Sequence, residues 1–376
     1  MEIINKYIVD YPIEYLHIAD EVSRNHKSSL PLVFIKLLFS RFVNGFGAKD
    51  YALHDLEAQP LRKWSSFASK NQMMAMQRKI NSPEGRDISN DKLRFFSWCR
   101  GHNLATPTVY AVIGEYPDTL PDDVATLDTE EKLKQYFQQH NEKKRSKHLI
   151  VKETNGSWGK NMMLLKVHEN CLTSHEDKPL SYKSLLRFCT KNSHGKGFLL
   201  QERLFPHEDL KDLMRNDTLG TFRVITFNRK HDVAIPFGYF KIPVGETKAN
   251  DNFAHGQSGN LAAAIDTTTG KLRAARGPAM NYHYCLRSFS KHPDTGKNIE
   301  NFVVPNWFEI CELARKAALA LPELTTVGWD IALSRNGIVL IEANDIYDAD
   351  AIQVSLGRGI KHDIVELMQQ IDVPAH

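Results

Sequence analysis

An α+β fold with mixed sheets behind a helical amino-terminal region is what this 376-residue sequence predicts, and three observations predict it. From about residue 10 to residue 80, apolar side chains recur roughly every 3.6 positions, the period of an α-helix. Apolar and β-branched runs become frequent from His148 onward. Those runs alternate with helical segments in irregular order and include hairpins, which separates the pattern from a regular βαβ repeat. A chain of this length exceeds one typical core and should divide into two or three subdomains.

The helical periods run from Ile13 to Arg24, Leu30 to Val43 and Trp64 to Ile80, and Asn81 to Arg86 reads as a turn-rich break. A helix is expected from Asp91 to His102 and a strand from Thr108 to Ile113. The charged run Glu142 to Lys147 reads as an exposed loop. His148–Lys152 and Met162–Val167 read as strands joined by a glycine-containing loop, followed by a helix at Ser181–Lys191 and a strand at Gly197–Glu202. Strands Thr221–Phe227 and Val233–Ile242 come next, then the helix Trp307–Leu321 and a hairpin from Val327 to Asn344.

Hydrophobic residues at 42% and charged residues at 25% describe an ordinary globular chain. A net charge of +3 with scattered basic residues gives no case for nucleic acid. No apolar run is long enough for a transmembrane helix, and the opening residues lack a signal-peptide pattern. The five cysteines form no CxxC pair; free thiols and a cytoplasmic location are expected. Leu30–Val43 is strongly apolar but interrupted by Lys36 and Arg41. It reads as a helix packed on the body, with peripheral contact to a membrane surface as the alternative.

The segment Gly328–Asn344 says most about chemistry. Asn336-Gly337 signals a hairpin. A three-residue loop ending in Gly337 sets Asp330 opposite Glu342, and strand alternation puts Asn344 on the same face. A two-residue loop would instead turn Asp330 to the other face. Three such oxygen donors suit a hard cation such as Mg²⁺, a solvated strand end being the plainer reading.

Lys152 closes an apolar strand, and the small-residue loop Asn155 to Lys160 follows it. Backbone N–H groups of such a loop can close over phosphates while the lysine supplies charge, although a plain hairpin turn has the same composition. Gln201 and Glu202 end a buried strand and offer groups to an adenine edge, with Glu208 or Asp209 near a ribose. Arg223 and Lys241 stand inside apolar strands, and each needs an anionic partner, either a structural carboxylate or a bound phosphate. The polar loop Asp251–Asn260 suits a phosphate or a substrate carboxylate, or serves only as a connection.

In this order the motifs resemble the ATP-grasp superfamily, whose members close two α+β subdomains around ATP and phosphorylate a carboxylate. The segment Asn90-Asp-Lys-Leu-Arg-Phe-Phe with Thr106-Pro107 downstream looks like the one that supplies the first nucleotide lysine, Lys92. Lys152 looks like the second lysine. Gly156 and Ser157 resemble the phosphate loop, and Gln201, Glu202, Leu204 and Asp209 the adenine and ribose contacts. Asp330, Glu342 and Asn344 match the magnesium ligands, spaced as in D-alanine–D-alanine ligase. Thr221–Thr226, Asp251-Asn-Phe with His255-Gly256, and Gly328–Leu333 are similar to the sugar-transfer-associated branch.

The resemblance implies a helical region over 1–88, the amino-terminal part of the ATP-grasp core over 89–147, a lid subdomain over 148–205 and a metal-bearing carboxy-terminal subdomain over 206–376. Loop 153–160 would act as a lid against water. D-alanine–D-alanine ligase carries an arginine two residues before its first metal aspartate, where this chain has Gly328. That catalytic role then passes to Arg223, Lys241 or Arg276, while Asn252, His255 and Gly256 bind substrate. The implied activity is an ATP- and Mg²⁺-dependent carboxylate–amine or carboxylate–thiol ligase acting through an acyl phosphate. Its small-molecule acid would be an amino acid or sugar acid of polysaccharide or secondary-metabolite biosynthesis. A sugar kinase on the same scaffold is the alternative.

Overall fold

The computed structural model describes residues 11–142, 147–156, 161–168, 171–174, 176–193, 196–214, 217–229, 232–245, 251–279 and 283–371. Seven helices lead: α1 (Tyr11–His26), α2 (Leu30–Asn44), α3 (Ala48–Leu53), α4 (Leu61–Trp64), α5 (Lys70–Ile80), α6 (Pro83–Asn90) and α7 (Lys92–Gly101). The middle of the chain gives β1 (Val109–Ile113), β2 (Ala125–Leu127), α8 (Glu130–Glu142), β3 (His148–Glu153), β4 (Met163–Val167), β5 (Leu172–Ser174), β6 (Pro179–Leu180), α9 (Tyr182–Asn192) and β7 (Phe198–Glu202). The remainder is β8 (Phe222–Asn228), β9 (Val233–Ile242), β10 (Leu261–Ala264), β11 (Ala275–Pro278), β12 (Leu286–Phe289), α10 (Trp307–Ala320), β13 (Thr326–Ser334), β14 (Gly337–Asn344), α11 (Ala349–Leu356) and α12 (Lys361–Met368).

Two elements differ from the sequence expectation, and both differences come from capping. The single helix expected over Trp64–Ile80 is split, because Ser69 accepts from Gln72 N–H while the Gln72 side chain accepts from Ser69 N–H. That capping box starts α5 afresh. The break expected over Asn81–Arg86 is instead the start of α6, with Ser82 as cap and Pro83 in the first turn. Of the loop expected at Glu142–Lys147, residues 143–146 lie outside the described residues, and Glu142 closes α8.

The strands form two seven-stranded sheets, in the orders β2-β1-β7-β3-β4-β5-β6 and β12-β11-β10-β9-β8-β13-β14. Only β1 and β2 pair in parallel among these. β1 and β2 share a sheet with β3–β7, so the expected boundary between residues 147 and 148 runs through one sheet. α8 and α9 supply Leu133, Phe137 and Leu185 to the core of the first sheet. The second sheet is covered on both faces. β8 turns Phe222 and Val224 toward α10 and Ile225 and Phe227 toward α11, the alternation that a strand imposes.

The amino-terminal helices are fastened to the second half of the chain by buried polar groups. Glu21 accepts from the backbone N–H groups of His283, Tyr284 and Cys285 at 3.0, 2.6 and 2.7 Å. Gln353 bonds both the N–H and the carbonyl of Ala68. No helix among the described residues is long and apolar enough to cross a membrane.

Candidate active site

The β13–β14 hairpin reaches the expected pairing by an unexpected route. Ser334 pairs with Gly337, so its loop holds two residues, Arg335 and Asn336, rather than three. Continued without interruption, that register would set Asp330 across from Ile341. A bulge between Asp330 and Ile331 takes up one extra residue of β14, and Asp330 faces Glu342. Asn344 pairs with Gly328 and donates from Nδ2 to the Gly328 carbonyl at 3.2 Å and to Glu342 Oε1 at 3.4 Å. Its Oδ1 has no donor among the described residues.

Asp330 is buried between two cations. Arg223 donates from Nε and Nη2 to its two oxygens at 2.6 and 3.0 Å, and Lys241 Nζ donates to Oδ2 at 2.8 Å. The anionic partner of both strand cations is therefore a carboxylate of the chain. Burial alone would raise the Asp330 carboxyl, but Arg223 and Lys241 outweigh it and hold the group well below the usual carboxylate range. Burial likewise opposes charge on Arg223 and Lys241, and Asp330 reverses that for both.

Gly328 explains how Arg223 gets there. A Cβ on Gly328 would stand 2.8 Å from Tyr347 Cβ and 3.0 Å from Arg223 Cδ, so the Arg223 side chain runs through space that only glycine leaves open. An arginine side chain is thus delivered to the hairpin from β8 rather than from position 328. Arg276, the other candidate for that role, bonds Ser288 and lies 3.7 Å from Asp55, and it lines neither cavity described below.

Two cavities, of about 580 and 160 Å³, share Lys92, Gly156, Asn252 and Glu342 in their walls. The smaller has an apolar lining that includes Ile150, Leu204 and Ile341, with Lys152, Gln201, Glu202 and Asp330 around it. Asp91 caps α7 through Leu93 and Arg94 N–H, which fixes Lys92 in the first turn with its ammonium on the Gly156 carbonyl. Gly156 has no room for a side chain, since a Cβ would come within 2.6 Å of Glu153. Lys152 is pushed down to about 8 by burial first and by Lys92 second, with Glu342 opposing. The three charges therefore share one hollow. Gln201 is anchored on the Pro107 carbonyl, and Glu202 accepts from Asn336 at the hairpin turn, which links the two sheets.

The larger cavity adds Arg223, Tyr239, Lys241, His255, Asn344 and Asp348. His255 adopts a left-handed conformation at φ 54°. Its Nε2 lies 3.4 Å from Asp348 and its Nδ1 lies 3.5 Å from Asp350, which His54 holds at 3.1 Å. Burial first and Asp350 second raise the Asp348 carboxyl to about 6, with His255 opposing.

Two expected residues lie elsewhere. Asp209, in a short 3₁₀ turn at Glu208–Leu213, faces His207 at 3.5 Å and is well exposed, outside both cavities. Gly256 faces the Leu286 side chain, and its φ of 82° makes it a turn residue rather than a wall. Ser157, with the rest of 157–160, lies outside the described residues. Arg78 and Arg86 line the larger cavity without having been expected there. The cue for Arg86 was Ser82-Pro83-Glu84, a capping serine followed by a first-turn proline and an acid, which marks a helix start.

Two sheets enclosing a cleft, with paired lysines facing a carboxylate-bearing hairpin, define an ATP-grasp fold. The chain belongs to the sugar-transfer associated ATP-grasp family, whose sequence model matches residues 71–371. Among solved structures it is similar to D-alanyl-alanine synthetase A from Vibrio cholerae O1 biovar eltor str. N16961, with a TM-score of 0.45 and 12% identity over 77% of this chain and 66% of that one. It is also similar to the Campylobacter jejuni biotin carboxylase, with a TM-score of 0.44 and 12% identity over 82% of this chain and 53% of that one. D-alanine–D-alanine ligase from Helicobacter pylori gives a TM-score of 0.39 and 10% identity over 78% and 62%. The chain thus spans at most about two thirds of the length of these structures. No curated protein matches it.

Proposed function

We propose that this chain is a ligase that uses ATP and Mg²⁺ to convert a small-molecule carboxylate into an acyl phosphate for capture by an amine or thiol. The observation that carries the reading is the convergence of Lys92, Lys152 and Glu342 on one hollow, with Asp330 registered opposite Glu342. The donor set suits a magnesium ion: Glu342 and the Oδ1 of Asn344 are hard oxygen ligands at the open end of one hairpin, and Asp330 would join them by sharing the oxygens that it already offers to Arg223 and Lys241. An ion bound there would supply positive charge to neutralise the nucleotide's phosphates.

The apolar walls of the smaller cavity take the adenine, with Gln201 and Glu202 at its edge. Lys92 and Lys152 hold the phosphates. Phosphate charge beside Lys152 offsets the burial and the Lys92 repulsion that lower its proton affinity, so nucleotide and proton bind together. The substrate carboxylate, held by Arg86 and steadied by Arg223, attacks the γ-phosphorus as the bond to ADP breaks. The amine then attacks the acyl carbon, phosphate departs with the bonding pair, and the proton released from nitrogen passes to Asp348 beside His255. Arg223 and Lys241, fixed in place by Asp330, face charge developing in both steps without having to reorient.

The test is ATP-dependent release of ADP and phosphate, measured against pooled amino acids and uronic acids with and without pooled amines. Steady turnover that needs both an acid and an amine, and falls about 10²-fold in Lys152→Ala or Glu342→Ala, supports a ligase. ADP release that needs no amine and leaves a stable phosphorylated sugar makes the chain a kinase instead. Wild-type turnover in Glu342→Ala removes the metal assignment.

A further inference from the structure

The amino-terminal helices turn an apolar face outward. α2 buries Val33, Leu37 and Ser40 against the body. Its other side keeps Leu32, Ile35, Phe39 and Phe42 open, at the spacing of one helical face, with Ile35 62% and Phe42 87% exposed. Trp64 of α4 packs beside Phe39 with ring centroids 6.3 Å apart, and Leu61 on the same short helix is exposed, so α4 extends this surface. Single exposed leucines are ordinary, whereas an aligned set of large side chains marks an interaction site.

Charge selects the occupant. The two helices of this face, Leu30–Asn44 and Leu61–Trp64, hold four lysines and arginines and no aspartate or glutamate, in a chain whose net charge is only +3. Arg41 beside Phe42, and Arg62 and Lys63 beside Leu61, are exposed and make no ion pair among the described residues. A second copy of this face would bring those cations against one another, and a neutral apolar partner would leave them unmatched. An anionic bilayer answers both features: apolar side chains enter the headgroup boundary while the cations meet lipid phosphates.

We propose that the face formed by α2 and α4 docks this chain onto an anionic lipid surface, lying in the interface without crossing it. The surface is separate from the cleft, so the docking stands or falls independently of the ligase reading.

Co-sedimentation of the full chain with vesicles tests it, using pure phosphatidylcholine against a 7:3 mixture with phosphatidylglycerol. Binding to the mixed vesicles should exceed binding to the neutral ones by about tenfold or more, and should fall sharply at 0.5 M salt, where surface charges are screened. Ile35→Ser with Phe42→Ser should lower binding about tenfold, since each removes an apolar side chain from the interface. Arg41→Gln with Lys63→Gln should lower binding to the anionic vesicles alone. All four side chains are exposed, and an unchanged circular dichroism melt confirms that the variants fold. No binding to the mixed vesicles, or binding indifferent to these substitutions, overturns the proposal. A dimer in solution that Phe42→Ser dissociates, without vesicle binding, assigns the face to a second copy instead.

Discussion

Replacing Asp330 by asparagine should unfold this protein far more readily than any surface change. The substitution keeps the shape but removes the one carboxylate among the described residues within ion-pair distance of Arg223 and Lys241. Both cations then remain buried and uncompensated. Removing one partner of a buried pair costs about 3–5 kcal/mol, a fifth or more of a typical folding free energy of about 5–15 kcal/mol. Equilibrium urea unfolding followed by tryptophan fluorescence reads this directly, because Trp329 is buried next to the substituted residue. Adding Lys241→Met should recover part of the loss, since one buried charge disappears. The pH dependence follows from the sign of the shift. A carboxyl held below its usual value stabilises the folded state above the ordinary 3.8, and the contribution fades as the pH falls below that. Wild type and Asp330→Asn should therefore differ at pH 5–8 and converge in acid. A loss below about 1 kcal/mol at neutral pH, or a double variant no better than the single one, refutes the reasoning.

Gly328→Ala should destabilise by about 1–3 kcal/mol through overpacking against Tyr347 and should also weaken turnover, because Arg223 must move; unfolding and kinetic assays on one preparation check both effects. Asp348→Asn should stabilise the protein above pH 6 by about 1–2 kcal/mol, after allowing for partial exposure. Its carboxyl is raised to about 6, so wild-type stability falls as the pH climbs from 3.8 to 6, and the two proteins should match below pH 4 in thermal melts. Asparagine can still cap α11 there, so a change in the other direction would speak against the burial argument.

Much of this site was legible in the sequence because its chemistry sits on regular elements. Arg223 and Lys241 stand out as charges within apolar strands, and the pairing of Asp330 with Glu342 is implied by the hairpin. The route to that pairing was not legible. A two-residue loop and a bulge together give the same register as a three-residue loop, and the choice depends on how β13 packs between β8 and β14. The partner of Arg223 and Lys241 was equally hidden, since Asp330 lies 107 and 89 residues away along the chain. Gly328 looked like a missing arginine, yet its lack of a side chain is what admits an arginine from β8. α6 was misread because its proline and glycine suggest a turn, whereas Pro83 sits where a helix tolerates it. That error also hid Arg86.

A metal-assisted nucleotide site at the hairpin is tested most directly by equilibrium binding of a non-hydrolysable ATP analogue. Wild type should bind the analogue only with Mg²⁺ present, and Lys152→Ala and Glu342→Ala should each bind at least about tenfold more weakly. Equal affinity in all three proteins, or wild-type binding indifferent to Mg²⁺, would contradict it.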